Sequence, residues 1–396
     1  MTRAVIDSGL GVGGFGGRAA IVGLGETEFS SNAGRSELTM ATEASLAALA
    51  DAGMVPEDVD GMVCFAMDEA PHLSLAQSLG LSNLSYFGEI AGGGGAGSAC
   101  VAHACAAIAA GMAETILVYR SVRARSGEWR FGQGRLGVAR KPPKGAYAFM
   151  GHNGYGAPPV LFAMLARRYM SETGTTSRHF GALAVTIREH AQRNPRARFY
   201  GRPMTIDDHQ ASRLIADPYH LFDCCLETDG SVALVITSAS RARDTRQVPA
   251  VVLAGAQAAG PMPVEWMLGV DDRPARLVGE RLWAQSGLTP DDIDTVQIYD
   301  HFTGQVLMQL EDLGFFQPGE AGPAAADGVL RWDGGRLPIN TSGGHLSEAY
   351  LHGFNIMAEA VRQLRGTSRS QVEGVELVLA SSAGGGLPTS ALVLSR

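Results

Sequence analysis

Ala52-Gly-Met-Val-Pro-Glu-Asp-Val-Asp60 and Ser286-Gly-Leu-Thr-Pro-Asp-Asp-Ile-Asp294 are two copies of one segment. In each copy a glycine closes a helical pattern, and a proline and two acidic residues form the connection to a strand. Around the first copy, the spacing predicts a helix over 38–53, with Leu38, Ala41, Ala44, Leu46, Ala48 and Leu49 at its small and apolar positions. Gly61-Met-Val-Cys-Phe65 reads as the strand that follows, and a further helix is expected near 72–79. Working outward, the glycine loop and small-residue helix at 92–111 match the turn and helix at 340–364. The closing strands at 114–119 and 375–380 also correspond. Self-similarity on this scale predicts two βαβ halves. Helices alternating with strands imply an α/β fold whose parallel sheet is covered on both faces.

The halves divide the chain. Residues 1–18 read as a flexible leader, 19–245 as the first half and 246–396 as the second. The fold is expected to start at Ala19-Ala-Ile-Val-Gly-Leu-Gly25. Within the leader, Gly9, Gly11 and Gly14 have dinucleotide-fingerprint spacing, but no strand precedes them, which excludes that reading. A loop-rich insertion of about 120–230 carries Arg123, Arg125, Arg130, Arg135, Arg140, Lys141 and Lys144, and an amphipathic stretch at 160–171. These cations suit a solvated surface or a phosphate-bearing ligand.

Composition narrows the function. The chain has 396 residues, 45% hydrophobic and 18% charged, with a formal net charge of -8. That composition is globular and long enough for two core-forming units. No basic run or basic aromatic patch is present, so nucleic acid is not an expected partner. The longest apolar run, near 99–113, contains His103 and is too short to span a bilayer. The five cysteines, Cys64, Cys100, Cys105, Cys224 and Cys225, lack zinc-ligand spacing and are odd in number. With no secretory signal, this fits a reduced cytoplasmic protein without a metal.

The stretch 339–354, Ile-Asn-Thr-Ser-Gly-Gly-His-Leu-Ser-Glu-Ala-Tyr-Leu-His-Gly-Phe, gathers proton-moving groups at a strand–turn–helix junction. His345, Tyr350 and His352 follow the Gly343–Gly344 turn. The two glycines allow a close backbone approach, and free N–H groups at a helix start favour a negative oxygen. A ligand-facing turn is therefore expected here.

From residue 19 onward, the duplicated halves with facing glycine turns resemble the thiolase superfamily, in its lipid-transfer or sterol-carrier branch. That branch carries Asn-x-Cys-x-x-Gly-Ser, Glu-x-His-Asp-x-Phe, Asn-x-x-Gly-Gly-x-x-x-x-Gly-His-Pro and Cys-x-Gly-Gly-Gly motifs. Here Gly94-Gly-Ala-Gly-Ser98 puts Gly94 at the nucleophilic cysteine position, and Gln297-Ile-Tyr-Asp-His-Phe302 puts Tyr299 at the first histidine position. Asn340-Thr-Ser-Gly-Gly-His-Leu-Ser-Glu-Ala-Tyr-Leu puts Tyr350 at the catalytic histidine position, and Ser382-Ala-Gly-Gly-Gly386 puts Ser382 at the second cysteine position. Cys100 and Cys105 lie inside the neighbouring helix and read as core. Without a thiolate there is no acyl-enzyme, so Claisen chemistry is not expected.

With both tyrosines, and with Tyr299-Asp-His-Phe-Thr, Arg336-Leu-Pro-Ile-Asn-Thr and Glu348-Ala-Tyr-x-His-Gly, the chain is similar to the actinobacterial steroid side-chain-cleaving aldolases. The resemblance implies a thiolase fold in five layers, α-β-α-β-α. It implies retro-aldol cleavage of a 17-hydroxy steroid bearing a 20-carboxyl-CoA group, giving a 17-ketosteroid and propionyl-CoA. It also implies a homodimer joined through the 115–119 strand as an edge. The expected partner is a small zinc-ribbon plus OB-fold protein associated with an acyl-CoA hydratase, in a heterotetramer.

Such a reaction needs a base for the hydroxyl, an oxyanion site and an acid for the enolate carbon. The thioester stabilises the carbanion, so no cofactor, Schiff-base lysine or metal is expected. Tyr299 and Tyr350 are the expected acid and base, relayed through Asp300, His301 and His345. Gly94, Gly343, Gly344, Ser382, Gly384, Gly385 and His352 are expected around the substrate. Competing readings are a non-catalytic lipid or acyl-CoA binding protein and a residual thiolase acyltransferase using a displaced cysteine.

Overall fold

A computed structural model describes residues 14–127, 153, 157–259, 273–382 and 388–396. Nine strands form its main sheet: β1 (Ala19–Glu26), β2 (Gly61–Phe65), β3 (Tyr86–Ile90), β4 (Thr115–Arg123), β5 (Asp229–Ser238), β6 (Ala250–Ala258), β7 (Thr295–Gln297), β8 (Leu377–Ser382) and β9 (Thr389–Ser395). Their spatial order is β3-β2-β4-β5-β1-β6-β9-β8-β7. Leaving β3 aside, the order reads the same from either end, with β2, β4, β5 and β1 answered by β7, β8, β9 and β6. This is the duplication in three dimensions. The halves meet where Ala20 and Ile21 of β1 pair with Val251 and Ala250 of β6.

The sheet is mixed, not parallel as expected. Only β2 with β3, β2 with β4, and β7 with β8 run parallel. Parallel neighbours need a crossover, which the helices supply. β9 instead turns straight back along β8, and β5 returns antiparallel along β4 after the insertion.

Eight principal helices cover the sheet: α1 (Glu37–Ala52), α2 (His72–Leu79), α3 (Ala96–Ala109), α4 (Pro158–Thr173), α5 (Ser177–Ala191), α6 (Pro274–Ser286), α7 (Thr303–Asp312) and α8 (Phe354–Arg365). Period-two alternation along the strands sorts the core into three sheets of contact. Ile21, Ile116, Val118, Leu234, Leu392 and Leu394 face inward onto α3 and α8. Their neighbours Val22, Leu117, Tyr119 and Val235 face α1 and α2, while Leu379, Ala391 and Val393 face α4 to α7. The result is the expected α-β-α-β-α layering. Small residues in α3 let it sit in the central layer, where Cys100 and Cys105 are buried as expected.

The duplicated segment has a visible purpose. Gly53 and Gly287 end α1 and α6 in the left-handed region, at φ 74° and 69°. The Asp60 carboxylate then accepts the N–H groups of Glu114 and Thr115, and Asp294 accepts those of Glu376 and Leu377. In each half an aspartate therefore ties the start of one strand to its parallel neighbour, β2 to β4 and β7 to β8.

Two expectations change. The 115–119 strand is not an edge: it lies in β4 between β2 and β5, and both its faces are buried. Its apolar character reflects that double burial. The edges are β3, whose Phe87 is 57% exposed, and β7, whose residues are all buried. Of the expected leader, residues 1–13 lie outside the described residues; Phe15 packs against the central core, and Gly17 donates to the Val252 carbonyl. The amphipathic stretch forms α4. Within the described part of the insertion, Arg123 pairs with Glu37 and Arg125 with Glu227; Arg130, Arg135, Arg140, Lys141 and Lys144 lie outside the described residues. No described helix is long and apolar enough to cross a membrane.

Candidate active site

The segment from Ile298 to Phe302 carries the chain from β7 to α7 and is clamped on both sides. Asn340, held at φ 45°, accepts the Ile298 N–H at 2.7 Å and donates to the Ile298 carbonyl at 2.9 Å. The Tyr299 N–H donates to Ser381 Oγ at 3.1 Å, and Gln309 donates to the Tyr299 carbonyl at 2.8 Å. The other tyrosine is anchored by its own N–H, which donates to Thr228 Oγ1 at 3.2 Å. These anchors bring the two phenol oxygens of Tyr299 and Tyr350 to 2.8 Å, inside the protein. Burial pushes both phenols up from their ordinary value, and for Tyr299 the neighbouring Tyr350 adds to it. A lone phenolate is thus costly here; one proton shared across the pair spreads that charge over two oxygens.

Gly94 explains how Tyr299 fits. A Cβ at position 94 would lie 2.8 Å from Tyr299 Cζ and 3.2 Å from Cε1. The phenol fills the space a side chain at the nucleophile position would need.

The turn at Gly343 and Gly344 corrects an expectation. Its N–H groups do not await a ligand: His345 N–H donates to Asp300 Oδ1 at 2.7 Å and Leu346 N–H to Oδ2 at 3.1 Å. Gly344 is obligatory because its Cβ would meet Asn340 Nδ2 at 2.7 Å and Asp300 Cγ at 2.8 Å, at φ 53°. Gly343, at φ 110°, faces Ala191 at 2.7 Å in the same sense. Gly344 admits the protein's own Asp300 carboxylate, and Gly343 admits the packing of Ala191. The turn continues as one π-helical turn over 344–348, and α8 begins only at Phe354. Burial raises the Asp300 carboxyl to about 7, against the two N–H donors that lower it.

His345 is buried against both phenols, with ring centroids 4.5 Å from Tyr299 and 5.0 Å from Tyr350. Its Nε2 accepts the Gly353 N–H at 3.1 Å, which leaves the proton of the neutral ring on Nδ1, 3.3 Å from Asp300 Oδ1. His301 packs edge-on to Tyr299 and Phe162. His352, at φ 52°, lies 4.7 Å from the Tyr350 ring and 5.0 Å from Phe65. Burial drives all three histidines down, His301 to about 3, so they are neutral at physiological pH. Ser382 is taken up by the scaffold: its Oγ accepts the Ser98 N–H at 2.8 Å at the start of α3, and Gly97 and Gly353 crowd it. Gly384 and Gly385 lie outside the described residues.

Three features were not read from the sequence. Residues 223–228 form a wall of the site, with Cys225 N–H bonded to the His301 carbonyl and Leu226 N–H to that of His345. Cys225, half-buried, packs on Tyr299, Tyr350 and Ile356. The insertion clasps the turn: Arg188 donates to Ser347 Oγ at 2.9 Å, and Asn194 to the Ser342 carbonyl at 3.1 Å and Glu348 Oε1 at 2.9 Å. Arg120, 1% exposed, is a cation within the central layer. The signal for it was available: a charged residue in the alternate row of Ile116, Val118 and Val122, which is otherwise apolar.

A pair of hydrogen-bonded phenols, ringed by neutral imidazoles and a raised carboxyl, can exchange protons with a bound substrate. The cysteine packed against it, Cys225, is held as a thiol by burial. Comparison with known proteins places the chain in a family. Residues 267–396 match the family described as thiolase C-terminal domain-like. Over 96% of this chain and 99% of the relative, 52% of residues are identical to a 17-hydroxy-3-oxo-4-pregnene-20-carboxyl-CoA lyase of Mycobacterium tuberculosis. A steroid side-chain-cleaving aldolase of Thermomonospora curvata is 49% identical over 96% of this chain and 98% of its own. The solved Ltp2-ChsH2(DUF35) aldolase superposes with a TM-score of 0.89 at 47% identity, covering 96% of this chain and 98% of that one.

Proposed function

From the premise that this chain belongs to the thiolase-fold family of steroid side-chain-cleaving aldolases, we propose that it is a retro-aldolase. Its substrate is a 17-hydroxy-3-oxo-pregnene-20-carboxyl-CoA, and its products are a 17-ketosteroid and propionyl-CoA. The observation that carries the reading is the 2.8 Å contact between the Tyr299 and Tyr350 hydroxyls beside Gly94.

One tyrosine, ionised while its partner holds the single proton of the pair, takes the proton of the 17-hydroxyl. The C17–C20 bond breaks, C17 becomes a ketone, and the electron pair moves into the thioester as an enolate. The other tyrosine returns a proton to C20, so the pair ends with its single proton restored. Tyr350 is assigned as the base, since it stands at the proton-handling position of the family, and Tyr299 as the group at the thioester end. The thioester is the electron sink, so the scheme uses neither a metal nor a cofactor. It also needs no Schiff base: the chain's lysines are Lys141 and Lys144, and no described residue is a lysine. Asp300 and His345 hold the turn and both rings in place.

By the same premise, the chain works in the cytoplasm with a DUF35-type partner, an OB fold with a zinc ribbon, and as a homodimer. The β3 edge is the surface available for pairing. The test is incubation of the protein, with and without such a partner, with the steroid-CoA and with the analogue lacking the 17-hydroxyl. Release of propionyl-CoA and the 17-ketosteroid from the first alone supports the reading. Binding without turnover in every combination would leave an acyl-CoA binding protein. Turnover that requires free CoA and is abolished by a thiol alkylator would leave a thiolase.

A further inference from the structure

We propose that Arg120 is a positioning residue for this chemistry: its buried guanidinium supplies the positive field in which the Tyr299–Tyr350 pair, and the enolate beside it, carries negative charge. The proposal rests on the retro-aldolase reading.

Strand geometry sets the direction. Ile116, Val118 and Val122 of β4 all face the central layer, so Arg120, in the same alternation, faces it too. It lies near the C-terminal end of β4, level with Phe65 at the end of β2. Its Cζ sits 4.8 Å from the centre of the Phe65 ring, whose other neighbour is His352, at 5.0 Å; His352 in turn lies 4.7 Å from Tyr350. A short row of rings thus connects the cation to the phenol pair.

The guanidinium is incompletely paired. Nη1 bonds the Ser121 carbonyl at 2.9 Å and lies 3.1 Å from Asp68 Oδ2. Nε and Nη2 are buried and have no hydrogen-bond partner among the described residues. Buried donors left unpaired are costly, and they are retained where they serve a function. The charge of Asp68 is itself engaged, since its carboxylate also accepts the N–H groups of Ala70 and Ser121.

Among the described residues, the other groups near the pair supply no positive charge. His301, His345 and His352 are neutral by burial. Cys225 faces the pair from the 223–228 wall and, ionised, would oppose a phenolate; Asp300, bound to the turn, opposes ionisation of Cys225. On the Arg120 side stand Asp68, Cys64, Tyr119 and Cys100, all with titrations raised by burial, and the exposed Glu89. Arg120 is the cation whose field reaches both tyrosines and favours their ionised form.

The experiment is kcat against pH for wild type, Arg120→Met, Arg120→Lys and Asp68→Asn, each checked for folding by thermal melting. Loss of the cation should move the rising limb of the profile upward by about one pH unit or more, which is about tenfold in rate at neutral pH. Arg120→Lys should restore most of it. Asp68→Asn removes the counter-charge and should move the limb the other way. A folded Arg120→Met with an unshifted profile would overturn the proposal, as would Asp68→Asn and Arg120→Met shifting in the same direction. If Arg120→Met does not fold, the opposite displacement of Asp68→Asn relative to Arg120→Lys decides. A wild type without turnover would sink the aldolase reading instead. Ultraviolet titration of tyrosinate, with Tyr350→Phe marking the signal of the pair, then still tests Arg120.

Discussion

Substituting Gly94 by alanine probes the site at its tightest point. The new Cβ would stand 2.8 Å from Tyr299 Cζ and 3.2 Å from Cε1. Carbon atoms need about 3.5 Å, so the ring must retreat by roughly 0.7 Å. It cannot swing into solvent, because Tyr299 is 1% exposed and its backbone is held by Ser381 and Gln309. The displacement therefore falls on the 2.8 Å hydroxyl contact with Tyr350. Overpacking of this kind costs about 1–3 kcal/mol. A misplacement near 1 Å at reacting groups costs about 10²-fold in rate. Gly94→Ala should thus lose roughly 10²-fold in kcat, measured by propionyl-CoA release, with a modest fall in melting temperature. Gly94→Cys should behave the same and gain no thiolase activity. In a Tyr299→Ala background the clash is gone, so the added stability cost of Gly94→Ala should largely vanish. Wild-type turnover and melting in Gly94→Ala would refute the argument that Tyr299 occupies the nucleophile space.

Three further outcomes are expected. Asp300 and Glu348 have carboxyls raised to about 7 by burial, so their contribution to stability is present at acid pH and lost as pH rises toward 7. His301 and His190, lowered by burial to about 3 and about 4, contribute stability that is present above about 6.5 and lost as pH falls. With His345 and His352 shifted the same way, urea titrations should show maximum stability near pH ~6.5; a monotonic rise from pH 5 to 9 would contradict this. Asp300→Asn should destabilise the fold by about 1–3 kcal/mol, because an amide cannot accept both the His345 and Leu346 N–H groups; unchanged melting would count against that role. Phe87→Lys on β3 should shift the species seen by light scattering from dimer toward monomer, and an unchanged dimer would exclude this edge.

The duplication was legible because it is written in local signals. The Gly-x-x-Pro turn and the aspartate that receives two strand N–H groups recur at Asp60 and Asp294 with the same job. The layering was expected from the resemblance to the thiolase superfamily; alternation along β1, β4 and β5 is where the structure shows it. The direction of β5 and β9 was not legible, since an apolar run reads alike in either direction. Strand β3 was missed because Tyr-Phe-Gly-Glu-Ile alternates weakly, as suits an edge half open to solvent. At the site, the two tyrosines stood out through the motif frames. Their mutual distance did not, because it depends on Asn340, Ser381 and Thr228, residues far apart in the chain. The glycine turn was misread for a physical reason: two donors at a helix start look the same in sequence whether they await a ligand or, as here, hold Asp300.

The central claim is that the Tyr299 and Tyr350 hydroxyls move the protons of carbon–carbon cleavage as one unit. It is tested most directly by kcat for Tyr299→Phe, Tyr350→Phe and the double variant, with melting curves alongside. Phenylalanine keeps the ring and its packing, so the fold should persist. Each single change should lower kcat by roughly 10²–10⁴. The double variant should be far less impaired than the product of the two effects, because the first loss already disables the pair. Wild-type turnover in both single variants, or losses that multiply, would contradict the account.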